Sequence, residues 1–227
     1  MNRFFIIIFL IFGTASANAQ IHEIGVFLGG SNYIGDIGPT DYISPNEFAY
    51  GILYKWNKSP RHSWRFSYTQ SKITSRDIDS KMPARRQRGY DFENNLKEVS
   101  AGLEFDFFNF DLHNLEPQFT PYVYSGLSYA QYDGLFFVGD RPKSDSSHGS
   151  VAIPMTLGVK ARLFGHMVIG LEASTRYMFG DDLDGSGPKN KNLEGQGFGN
   201  INSNDWYVFT GLTLTYTFGN KPCFCVD

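Results

Sequence analysis

Hydrophobic and polar residues alternate along much of this chain. From Val151, Ile153, Met155, Leu157, Val159, Ala161 and Leu163 occupy every second position, with Ala152, Pro154, Thr156, Gly158, Lys160 and Arg162 between them. A period of two puts the two sets on opposite faces of a β-strand. Met167, Ile169, Leu171, Ala173 and Tyr177 likewise alternate with Gly170, Glu172, Ser174 and Arg176, interrupted on the apolar face by Thr175. Val99, Ala101, Leu103, Phe105 and Phe107 alternate with Glu98, Ser100, Gly102, Glu104 and Asp106. The pattern predicts eight strands, at about Ile21–Gly30, Glu47–Trp56, His62–Ser75, Leu96–Phe108, Phe119–Tyr132, Ser150–Phe164, His166–Phe179 and Asp205–Phe218. The faces of the fifth are left open, because Tyr122, Val123 and Tyr124 are consecutive.

Connection lengths alternate as well. Strands two and three join through Asn57–Arg61, four and five through Asn109–Gln118, and six and seven through little more than Gly165. The stretches Ser31–Asn46, Arg76–Asn95, Asp133–Gly149 and Gly180–Asn204 are long and rich in Gly, Asp, Ser and Pro, and are expected to be loops. Short turns on one rim and long loops on the other are the habit of outer-membrane barrels. An even strand number then puts both termini on the short-turn side, in the periplasm. The expected fold is an all-β, eight-stranded antiparallel transmembrane barrel over residues 20–218.

Alternation alone leaves a lipocalin-like barrel, apolar inside, as the alternative. The polar face decides against it, because it carries both signs: Arg65, Lys160, Arg162 and Arg176 with Glu98, Glu104, Asp106 and Glu172. An eight-stranded barrel is just wide enough for side chains to fill its interior, so these residues are expected to pair across the lumen. Aromatics gather near strand ends, at Tyr54, Trp56, Trp64, Tyr177, Phe179, Trp206 and Tyr216, as interfacial girdles require.

The ends add an address. Arg3, the apolar run Phe4–Phe12 and Ala17-Asn18-Ala19 have the form of an export signal, expected to be cleaved after Ala19, with Ala17 the second choice. That run is too short for a transmembrane helix, which needs about 20 residues. The formal charge of −3 lacks the basic surface that nucleic acid demands. Cys223 and Cys225 stand too close together to close a useful loop, and no metal ligand set or cofactor is expected.

Three groups carry candidate chemistry. Asp181, Asp182 and Asp184 before Gly185 suggest calcium, but the run lacks the distal glutamate of an EF-hand, and a solvated loop is the plainer reading. His148 and Ser150, at a loop-to-strand junction, are the pair from which a hydrolytic site would be built, given an orienting acid. Arg85, Arg86 and Arg88 form a basic knot suited to phosphate, or simply to solvent. His22, His62, His113 and His166 are dispersed among the short-turn ends and are read as surface residues.

The segment Glu23-Ile24-Gly25-Val26-Phe27-Leu28-Gly29-Gly30-Ser31-Asn32-Tyr33-Ile34-Gly35-Asp36 resembles the opening of PorG-type proteins, small barrels of the Bacteroidota type IX secretion system. The resemblance continues through Asn95-Leu96-Lys97-Glu98, Glu104-Phe105, Thr120-Pro121-Tyr122, Arg176-Tyr177-Met178-Phe179 and Tyr216-Thr217-Phe218-Gly219 with its Pro-Cys tail. It departs after strand seven, where Gly180-Asp181-Asp182-Leu183-Asp184-Gly185 keeps the family's acidic character but lacks its aromatic residue. Phe218 would be the terminal aromatic read by the insertion machinery, yet the chain runs on to Asp227. The resemblance implies a non-catalytic component of the secretion apparatus, contacting the periplasmic ring of the PorK lipoprotein and PorN, in cells that secrete enzymes and adhesins or glide. The implied partner surface is the Asn109–Gln118 turn, with Asp111 and His113, and the tail 219–227, with Lys221, Cys223, Phe224 and Cys225. A transport channel and a lipid-modifying enzyme are the alternatives.

Overall fold

The computed structural model describes residues 21–188, 190–200 and 204–219. The export signal and Lys221, Cys223, Phe224 and Cys225 lie outside the described residues.

Eight strands form one closed antiparallel ring in sequence order. They are β1 (Ile21–Ile34), β2 (Glu47–Ser59), β3 (His62–Arg76), β4 (Asp91–Asp106), β5 (Phe119–Val138), β6 (Arg141–Phe164), β7 (Met167–Met178) and β8 (Trp206–Phe218). The ring closes where β1 pairs with β8, from His22↔Phe218 to Ile34↔Trp206, so no strand edge is left at that seam. A short helix, α1 (Pro83–Arg88), sits in the β3–β4 loop and ends at Gly89, whose φ of 73° is the left-handed cap conformation.

The faces are inverted relative to a water-soluble barrel. Leu157 is 69% exposed, Leu127 63% and Ile52 61%, whereas Lys55, Glu104 and Lys160 are 2%, 1% and 3% exposed. Only a lipid surround makes this distribution favourable, since at about 25 cal/mol per Å² of apolar surface in water it would be strongly costly. Tyr122 and Tyr124 point inward and are buried, which settles the faces of the fifth strand. Tyr54, Trp64 and Tyr216 form part of one outer girdle, and Tyr177, Phe179 and Trp206 part of the other.

One expected loop is not a loop. Most of Asp133–Gly149 is the continuation of β5 and β6, paired out to Val138↔Arg141 with a bulge opposite Gly134. Gly139, at φ 69°, heads a two-residue turn with Asp140. Glycine in the first central position is what such a hairpin turn requires. The Ser- and Asp-rich arm 143–149 has loop composition, but its backbone finds partners along Gln131–Phe136, and pairing overrides propensity.

The two ends of the lumen are closed differently. At the short-turn rim, Phe110 and Leu112 fold under the barrel and pack against Ile21 and Val168. At the other rim Tyr33, Ile37, Phe92, Leu96, Leu135, Phe137 and Leu183 belong to an apolar core that continues down to Phe27 and Leu53. This apolar part of the interior was hidden from the alternation pattern, which suggests a polar lumen throughout.

Candidate functional site

Glu104 is the hub of the lumen. Its Oε1 accepts from Lys55 Nζ at 2.6 Å and Lys160 Nζ at 2.8 Å. Arg65 Nη1 lies 3.6 Å from its other oxygen. Lys160 also reaches Asp106 Oδ2 at 2.8 Å. Arg65 closes a two-pronged pair on Glu172 at 2.7 and 2.8 Å, and Tyr122 donates to the same carboxylate at 2.6 Å. Three buried cations thus meet three buried carboxylates, so desolvation is offset by pairing.

A second pair lies apart from the hub. Arg176 holds Glu98 through Nε and Nη2 at 3.1–3.3 Å, and Tyr207 donates to Glu98 Oε2 at 2.5 Å. Arg162 pairs with no carboxylate among the described residues. Its guanidinium donates to the backbone oxygens of Gly165 at 2.6 Å and Asp111 at 3.2 Å, tying the turn under the barrel to the β6–β7 turn.

Sequence reasoning missed Lys55 and Glu23. Lys55 stands between Tyr54 and Trp56, two outward aromatics, and that flanking is a usable signal for an inward charge. Glu23 accepts from Thr215 at 2.6 Å and Asn57 at 3.0 Å, a polar arrangement that nothing local in β1 announces. On the short-turn rim, Asp111 and His113 are half-buried, and the His113 N–H donates to Asp111 Oδ1 at 2.9 Å. The exposed part of that turn is instead Asn114–Pro117, which includes the apolar Leu115.

The rim opposite the short turns gathers polar groups from four segments. Arg88 pairs with Asp77 at 2.7 Å and reaches the Asp36 carbonyl at 2.7 Å, while Arg85 donates to the Gly38 carbonyl at 2.7 Å. Two arginines of the basic knot therefore clip the β1–β2 and β3–β4 loops together. Asp182 joins the β7–β8 loop to the hairpin: Tyr132 donates to Oδ1 at 2.6 Å, and His148 Nδ1 meets Oδ2 at 2.7 Å. Tyr33 donates to Asp205, whose other oxygen accepts from the Leu183 N–H at 2.9 Å.

Asp181 and Asp184 belong to the same corner. Burial, reinforced by the neighbouring Asp184 and Asp36, pushes the Asp181 carboxyl up to about 7. Burial likewise raises Asp184. An unfolded aspartate titrates near 3.9, so the folded loop holds this proton more tightly than the unfolded one. The stabilisation is complete below about pH 4 and is lost as pH climbs through about 7. The β7–β8 loop is therefore expected to lose amide protection, corrected for intrinsic exchange, between pH 5 and pH 8. Asp181→Asn removes most of that loss, measurable by hydrogen exchange at Ser186 and Gly187 (the Gly187 N–H donates to the Asp181 carbonyl at 2.7 Å).

A family model described as a domain of unknown function, DUF6089, matches residues 2–227. The chain belongs to the DUF6089 family. No curated protein matches it at a significant level. Among solved structures, this DUF6089 chain is similar to Neisserial surface protein A, with 12% identity, a TM-score of 0.49, and coverage of 88% of this chain and 97% of that one. The attachment invasion locus protein Ail of Yersinia pestis is 10% identical at a TM-score of 0.44, covering 88% and 99%. The N-terminal barrel domain of Pseudomonas aeruginosa OprF is 11% identical at 0.45, covering 88% and 98%. The closed ladder of the DUF6089 chain carries the fold assignment by itself.

Proposed function

We propose that this protein is an outer-membrane component of the type IX secretion system that anchors or contacts the periplasmic ring, with both termini in the periplasm. The observation that carries the reading is the filled interior. The lumen holds a paired charge network in one part and an apolar core in another, and Phe110 and Leu112 close its floor. A barrel so filled is suited to serve as a rigid membrane anchor, and it disfavours the transport alternative. The resemblance of its first strand and its terminal block to PorG-type proteins supplies the partner class: a ring of the PorK and PorN kind.

The docking rim would be the Asn114–Pro117 segment with the tail 219–227. Gentle solubilisation of outer membranes, capture of a loop-tagged chain and identification of bound proteins tests this directly. Recovery of a periplasmic lipoprotein ring is expected, and recovery of the folded barrel alone would count against the reading. Removing Lys221–Asp227 is expected to lower ring recovery while leaving barrel folding intact. Normal recovery from the truncated chain would dismiss the tail as a contact.

A further inference from the structure

The outer rim holds a hydrogen-bonded relay that anchoring does not use. Ser146 Oγ lies 3.0 Å from His148 Nε2, and His148 Nδ1 lies 2.7 Å from Asp182 Oδ2. Ser150, the serine that sequence spacing offered to His148, instead bonds the Val151 carbonyl at 3.3 Å. We propose that Ser146, His148 and Asp182 form a hydrolytic site for carboxylic esters presented at the aqueous edge of the outer leaflet, a role independent of the anchoring one.

The order of contacts sets the chemistry. Asp182 is buried, and a carboxylate only accepts, so His148 carries its proton on Nδ1 and turns the Nε2 lone pair toward Ser146. This is the tautomer a general base needs. Tyr132 occupies the other oxygen of Asp182 at 2.6 Å and holds the carboxylate in place. Gly134 is the close neighbour of the ring. A Cβ there would fall 2.4 Å from His148 Nδ1 and Cε1, so only glycine admits the imidazole in this position.

The surroundings suit acyl transfer. Ser146 is exposed, whereas His148 is 17% and Asp182 1% exposed in their side chains. The nucleophile therefore faces solvent while the relay behind it is shielded. The β6–β7 ladder stops at Ala152↔Met178, so the β6 edge beside Ser147 and Gly149 has no strand partner on the β7 side. Backbone amides of that edge are the donors at hand for a developing oxyanion. Ser146 lies five residues beyond Val151, the last outward apolar residue of β6 before the polar arm. At about 3.3 Å per residue that puts it roughly 16 Å further along the tilted strand, above the hydrocarbon region.

The proposed step balances with water as the only co-reactant. Ser146 Oγ attacks the ester carbonyl as its proton passes to His148 Nε2. The ester C–O bond breaks, and the leaving alkoxide takes that proton. Water, deprotonated by His148, then releases the acid and restores the serine.

The test uses the full mature chain in detergent micelles, its folded state confirmed by heat-modifiable migration in gels. Two probes are applied: a fluorescent fluorophosphonate and p-nitrophenyl butyrate. Wild type is expected to be labelled at Ser146, and Ser146→Ala to lose the label. Asp182→Asn and His148→Ala are each expected to slow ester hydrolysis by about 100-fold or more. Ser150→Ala is expected to keep both activities. Folded wild type that takes no label and hydrolyses no ester overturns the proposal, and so does labelling that survives Ser146→Ala. Ser146→Ala removes a single exposed hydroxyl, so loss of signal in that variant is not a folding defect.

Discussion

Glu104→Lys is expected to prevent the barrel from reaching its heat-modifiable folded form. The Glu104 side chain is fully buried and receives Lys55 and Lys160 within 2.8 Å. Reversal would place a fourth cation among Lys55, Lys160 and Arg65, with Asp106, Glu172 and the nearby Glu23 left to balance them. Removing one partner from a buried pair already costs about 3–5 kcal/mol, because the surviving charge is left desolvated and alone. That is a large share of the 5–15 kcal/mol or so by which proteins are usually stable. The neutral Glu104→Gln is therefore expected to fold but to unfold at lower urea, by about that 3–5 kcal/mol. Combining Glu104→Lys with Lys160→Glu restores the count of charges and is expected to recover part of the folded band. If Glu104→Lys alone folds and resists urea like wild type, the network is dispensable and the packed lumen contributes no specific stability.

Leu157→Arg is expected to destabilise the protein by about 2–4 kcal/mol in phospholipid bilayers, the cost of an arginine facing lipid at mid-depth. Leu157 lies near the middle of the β6 ladder and is among the most exposed apolar residues of the wall. In a water-soluble barrel the same change at so exposed a site would be nearly neutral. Urea titration of bilayer-refolded protein, compared with the same change at the exposed rim residue Ser147, separates the two cases. Little difference between the two variants would mean that this wall does not face lipid.

The strands were legible in the sequence because a pleated sheet enforces a period of two, and because lipid and lumen make opposite demands on its two faces. The charged set on the inner face was readable for the same reason. The β5–β6 hairpin was not. Its outer arm is polar on both faces once it rises clear of the membrane, so the alternation that marks a strand fades while the backbone pairing continues. The apolar upper core escaped notice because inward Phe27, Leu53, Ile73 and Leu96 are shared with a lumen that is elsewhere charged. Ser146 was overlooked in favour of Ser150, since both stand two residues from His148 and nothing along β6 distinguishes them.

By itself the sequence determined the strand number, the three short turns and the inward face of the strands that alternate cleanly. Each of these depends on neighbours along the chain. The tertiary structure decided which inward charges meet, that Phe110 and Leu112 close the floor, and that Asp182 completes a line through His148 to Ser146. Apart from the one between Ser146 and His148, those contacts join residues dozens of positions apart. They depend on the stagger of eight strands around a closed ring, and that quantity exists only once the last strand has paired with the first.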